Sequence, residues 1–148
     1  MSEKVMKSLI VKGDISEVYS LWENFENFPY FMKDIKSISK KGENRSHWIM
    51  KGPLGKDLEW EAETTDIQRN KRIAWNSISG DITTSGQVTF NQLDNDEVQV
   101  TVQMQYTPPA GEAGKIAAHL LDNPGKRVEE DLKQFKKYAE GRFFSTSK

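Results

Sequence analysis

The residues able to do chemistry are few and scattered. There is no Cys, which removes thiolate nucleophiles, disulfides, iron–sulfur clusters and Cys-zinc sites together. The two His, His47 and His119, fall on different predicted elements, whereas a metal site needs several converging ligands, so no metal and no cofactor are expected. Glu59, Glu61 and Glu63 share one phase of a strand. Paired carboxylates can do acid–base work, but these alternate with Leu58, Trp60 and Ala62 and read as a wet face. Gly55-Lys56 and Gly114-Lys115 look briefly like phosphate loops. The earlier glycine such a loop needs falls on Met50 and Pro109, and the Ser/Thr falls on Asp57 and Ile116. Asp94-Asn95-Asp96-Glu97 is acidic, but Val98 takes the next calcium-ligand position. Ser77-Ile78-Ser79-Gly80 is not a nucleophile elbow. The expectation is a binder rather than an enzyme and, if an enzyme, one without metal or covalent nucleophile.

The elements that position these residues follow from periodicity. Lys4–Lys12, with Val5, Leu9, Ile10 and Val11, reads as a strand ended by Gly13. Asp14 and Glu17 resemble a capping box, and Val18, Tyr19, Trp22 and Phe25 recur at helical spacing. A short second helix restarts at Asn27-Phe28-Pro29. From Ile35 to Tyr106 the period is two, with turns at 42–44, 69–71, 79–81 and 94–96. Val98, Val100, Val102, Met104 and Tyr106 alternate with Gln99, Thr101, Gln103 and Gln105 in the clearest strand. After Pro108-Pro109 a long helix is expected through Ala117, Leu120, Leu121, Val128, Leu132, Phe135 and Ala139, broken near Asn123 by Pro124-Gly125. Residues 141–148 read as a frayed tail. An antiparallel meander with one apolar face needs a cover, and that helix is the long one on offer.

The chain has 148 residues, a length suited to one domain over 1–148. Its 21 basic and 22 acidic residues nearly cancel, and its aromatics fall on the predicted inner face, so no nucleic acid is expected as partner. Met1-Ser-Glu-Lys has no apolar leader and no run suits a bilayer span, so a cytoplasmic protein without stable membrane insertion is expected. Only 36% of residues are hydrophobic, yet 10% are aromatic. The rings either economise on core material or line something.

The ordered set of motifs resembles the START-like or SRPBCC superfamily, in its bacterial polyketide cyclase/dehydrase branch. The resemblance rests on Val18-Tyr19-x-x-Trp22 and on Phe25-Glu26-Asn27-Phe28-Pro29-x-Phe31-Met32. It continues through Trp60-Glu61-Ala62-Glu63, Ile73-Ala74-Trp75-x-Ser77 and Gly86-x-Val88-x-Phe90. It ends with Tyr106-x-Pro108-Pro109-x-Gly111-x-x-Gly114 and Asp131-Leu132-x-x-Phe135-Lys136. The resemblance implies an α+β helix-grip fold: a curved antiparallel sheet wrapped around a long C-terminal helix, with two short helices after the first strand. It also implies a central cavity for a hydrophobic or amphipathic small molecule such as a lipid, quinone or polyketide.

On that basis Trp48, Trp60, Trp75, Phe90, Met104 and Tyr106 are expected in the sheet wall. Phe31 and Met32 would gate one end, and Leu120, Leu121 and Val128 would form the helix wall. Tyr106 and Ser77 would orient a polar ligand group. Two other readings stand beside this one. A cyclase, aromatase or dehydratase would need an ionisable side chain in the cavity. A protein-interaction or stress accessory module would show a filled interior and an apolar patch near Phe143-Phe144 or the loop from Gly52 to Leu58.

Overall fold

The computed structural model describes residues 3–51, 57–94, 96–107 and 124–146. Strand β1 (Glu3–Lys12) leads into helix α1 (Ile15–Glu23) and a 3₁₀ helix (Phe25–Tyr30). Then come β2 (Ile35–Lys40), β3 (Arg45–Met50), β4 (Leu58–Gln68), β5 (Arg72–Gly80), β6 (Thr83–Gln92) and β7 (Glu97–Thr107). Helix α2 (Pro124–Thr146) follows. The strands form one antiparallel sheet in the order β1-β7-β6-β5-β4-β3-β2. β2 to β7 are thus a simple meander, and β1 closes onto its last strand. The sheet curls as a half-barrel around α2, which is the helix-grip α+β fold.

Local chemistry sets the boundaries. The Asp14 carboxylate accepts from the Ser16 and Glu17 N–H groups at the start of α1. The second short helix is a 3₁₀ helix that begins at Phe25, two residues before the expected restart, with the Asn27 N–H on the Asn24 carbonyl at 3.0 Å. The turns at Asn70 and Asp96 adopt φ of 64° and 58°, the left-handed region that Asn and Asp tolerate. α2 starts at Pro124, where a missing N–H is one of the helix's orphans anyway. The expected upstream helix, with Ala117, Leu120 and Leu121, lies outside the described residues. The expected tail begins inside α2, which runs on through Gly141 to Thr146. A single glycine in a helix costs only about 1 kcal/mol and does not end it.

The curl is written into β4 and β5. Their register shifts between Glu61 and Ala62 and again between Thr64 and Asp66. Such bulges bend and twist a strand. Gly80 pairs with Trp60 at φ 120°, and a Cβ there would lie 2.4 Å from Trp60 Cα. Only glycine permits that approach.

The sheet's inner face and one stripe of α2 make the core. Val98, Val100 and Val102 of β7, Val88 and Phe90 of β6, and Ile73 of β5 are buried. Leu132, Phe135 and Ala139 face them from α2 at helical spacing. α1 and the 3₁₀ helix plug one end with rings: Phe135 packs at 5.0 Å from both Trp22 and Phe31, and Phe28 at 5.2 Å from Trp22. α2 also ties down edge strand β1. Glu140 accepts from the Lys12 N–H at 2.8 Å, and Lys136 Nζ donates to the Ile10 carbonyl at 2.9 Å. Edge backbone groups that would otherwise be open to pairing are covered in this way.

Candidate functional site

Register places a row of side chains across the inner face. Val5 of β1 pairs with Met104 of β7, Met104 with Gly86 of β6, and Gly86 with Trp75 of β5. A second row sets Trp48 of β3 against Trp60 of β4, their rings stacked at 5.7 Å and 19°. The two rows and α2 do not close on each other. Between them lies a cavity of about 130 Å³.

Its walls are mostly apolar. The sheet contributes Val5, Trp48, Met50, Trp60, Trp75, Ile82, Thr84, Val102 and Met104. The plug contributes Trp22, Phe28 and Met32, and Ile35 begins β2 beside them. α2 contributes Val128 and Leu132. All four Trp of the chain border this one space.

Three charged side chains break the apolar lining: Asp34, in the turn entering β2, and Arg127 and Asp131 on α2. Arg127 donates to the Asp34 carboxylate. Asp131 accepts no hydrogen bond among the described residues. Burial pushes its carboxyl up to about 7, and the neighbouring Asp34 charge adds to this; Arg127 and Lys33 oppose it, while Glu130 again raises it. Asp131 also borders an outer groove with Tyr30, Phe31, Lys33 and Glu130, so it stands in the wall between cavity and exterior. One donor is left over. The Nε1–H of Trp22, a residue 3% exposed, has no hydrogen-bond partner among the described residues. Trp48, by contrast, donates its indole N–H to buried Ser46 at 2.8 Å.

Of the side chains named from sequence, the structure brings Met32, Trp48, Trp60, Trp75, Met104 and Val128 together around the cavity. Phe31 sits deeper in the plug, against Phe135 and Tyr138, and Phe90 lies under α1 against Tyr19 at 5.5 Å. Ser77 Oγ accepts from the Thr84 N–H at 2.9 Å and serves the β5–β6 connection. The side chain of Tyr106 lies outside the described residues, as do Leu120 and Leu121. Asp34, Arg127 and Asp131 were not among the cavity residues expected from sequence, although Asp131 opens the Asp131-Leu132-x-x-Phe135-Lys136 motif. Asp131 had one readable sign: it stands three residues after Val128 and four before Phe135, inside the apolar stripe of the helix.

Away from the cavity, the carboxylates of β4 make a different arrangement. His47 on the outer face contacts Glu59 through Nε2 at 2.9 Å and Glu61 through Nδ1 at 3.2 Å. Those contacts raise its pKa, Glu59 first and Glu61 next. Among the described residues no group of three or more His, Asp and Glu could hold a metal ion. Nor is any described helix long and apolar enough to cross a membrane.

A curled sheet gripping a C-terminal helix over an apolar cavity defines a START-like helix-grip protein, a fold that holds hydrophobic ligands. Residues 11–135 match the family described as polyketide cyclase/dehydrase and lipid transport, and the chain belongs to that family. It is 31% identical over 142 residues to an uncharacterised 17.2 kDa protein of Streptomyces lincolnensis, covering 94% of this chain and 91% of the other. A crystal structure from Deinococcus radiodurans superposes with a TM-score of 0.75 at 27% identity, covering 93% of this chain and 97% of that one. An aromatase/cyclase from Streptomyces sp. R1128 superposes with a TM-score of 0.74 at 13% identity, covering 96% of each chain, and so is similar in fold alone.

Proposed function

We propose that this protein binds a hydrophobic or amphipathic small molecule in the cavity between sheet and α2. The observation that carries the reading is a space of about 130 Å³ at the centre of the molecule. Protein interiors are close-packed, and voids larger than a water molecule are few. This space is ringed by indoles and thioethers, with a few polar groups on one side, the usual make-up of a ligand site. Because all four Trp border it, Trp emission is well placed to report on the cavity. Titration with quinones, fatty acids and aromatic polyketides should change Trp emission and raise the melting temperature for at least one class. A panel that moves neither quantity sinks the proposal.

Asp131 favours a second reading, an enzyme of the cyclase, aromatase or dehydratase type using the same cavity. A carboxyl held near 7 is poised to take or give a proton at neutral pH. Turnover of a bound ligand that Asp131→Asn abolishes while binding persists would select this reading. Binding without any chemical change in the ligand would reject it.

A further inference from the structure

We infer that the cavity selects a single-ring amphipathic molecule whose hydroxyl head reaches Asp131 beside the Asp34–Arg127 pair, and that it disfavours carboxylate-headed lipids. This rests on the reading of the cavity as a ligand site and adds the size and the head group of what it takes.

Size comes from volume. The cavity measures about 130 Å³. A protein cavity of about 150 Å³ lined by aliphatic and aromatic side chains holds one benzene. A single ring with a short substituent therefore matches the space, whereas a sixteen-carbon chain or a fused multi-ring polyketide exceeds it.

The head group comes from what the walls leave unpaired. Asp34 already offsets the charge of Arg127, so the pair brings an anionic head little net positive charge. Asp131 stands beside that pair with no hydrogen bond from any described residue, and Glu130 and Lys33 flank it from outside the cavity. A ligand carboxylate here would face two carboxyl groups, an arrangement that like-charge repulsion disfavours. A hydroxyl suits both forms of Asp131: it donates to the carboxylate and accepts from the acid.

The test is calorimetric titration of the full chain with ethylbenzene, 4-ethylphenol, 4-ethylbenzoate and palmitate at neutral pH. The phenol is expected to bind about tenfold or more tighter than ethylbenzene or the benzoate, the return on one hydrogen bond to a charged group. Palmitate is expected to bind more weakly than the phenol. Asp131→Asn should shrink the preference for phenol over ethylbenzene several-fold and leave ethylbenzene affinity nearly unchanged. Equal binding of ethylbenzene and the phenol overturns the head-group inference but leaves the cavity reading standing. The benzoate binding tightest overturns it in favour of Arg127 as anchor. Palmitate binding tightest overturns the size argument. Failure of all four to bind overturns this inference, and the cavity reading falls with it only if the wider panel of quinones, fatty acids and polyketides also moves neither emission nor melting temperature. The wild-type ranking stands even if the variant does not fold.

Discussion

The indole of Trp75 occupies the space where a side chain on Gly86 would stand. The two residues are paired across β5 and β6, and a Cβ on Gly86 would fall 2.8 Å from Trp75 Cζ2 and 2.9 Å from the Gln103 carbonyl oxygen. The missing side chain thus lets the indole close onto the Gly86 backbone, where it forms part of one wall of the cavity. Gly86→Ala should force the ring away. We expect a loss of about 1–3 kcal/mol in a denaturant titration, the range for overpacking a filled site, together with a shift in Trp emission. An unchanged unfolding midpoint and spectrum would mean that the indole has room to move.

Asp131 makes stability depend on pH in a defined direction. Its carboxyl is raised from 3.8 to about 7 in the folded protein. Between those values the folded state binds more protons than the unfolded one, so stability falls as pH rises through this window. Asp131→Asn should therefore be more stable than the parent above pH 7, by on the order of 2 kcal/mol given partial exposure, and should flatten the slope between pH 4 and 7. Chemical denaturation at a series of pH values checks this. A parent whose Asp131 contribution grows with pH would contradict the placement of that carboxyl.

His47 runs the opposite way. Its hydrogen bonds to Glu59 and Glu61 favour the imidazolium and raise its pKa above 6.5. Its contribution to stability is present in full below the unfolded value and is lost as pH rises through the folded one. As a pair on the outer face it is worth at most about 1 kcal/mol. An NMR titration of the His47 ring should give a pKa above 6.5 that falls in Glu59→Gln. A value unmoved by that substitution would show that the Glu59 contact does not persist in solution.

Much of this architecture was legible because one face of the sheet is wet. In β7 the Val–Gln alternation survives intact, and Val98, Val100 and Val102 are all buried. The wall residues Trp48, Trp60, Trp75 and Met104 fall on the inner phase that alternation assigns. Alternation could not say which part of an inner face stays open. Phe90 shares that phase, but α1 descends on it and brings Tyr19 against its ring. Phe31 follows Phe28 at helical spacing, yet the 3₁₀ geometry turns it into the plug. The charged cluster was harder still. Arg127 and Asp131 are four apart on a helix, a spacing that sets them on one face without showing what that face meets. Only the fold carries Asp34, more than ninety residues earlier, to their side.

The chain's methionines allow the central claim to be tested at residue level. Met32, Met50 and Met104 line the cavity, while Met6 lies on the outer face at 64% exposure. Methyl NMR on Met-labelled protein titrated with 4-ethylphenol separates the two. If the cavity is the binding site, the Met32, Met50 and Met104 signals shift together along one saturating curve and Met6 stays in place. A saturating shift at Met6 with the other three unmoved would put the ligand on the outside of the sheet and contradict the claim.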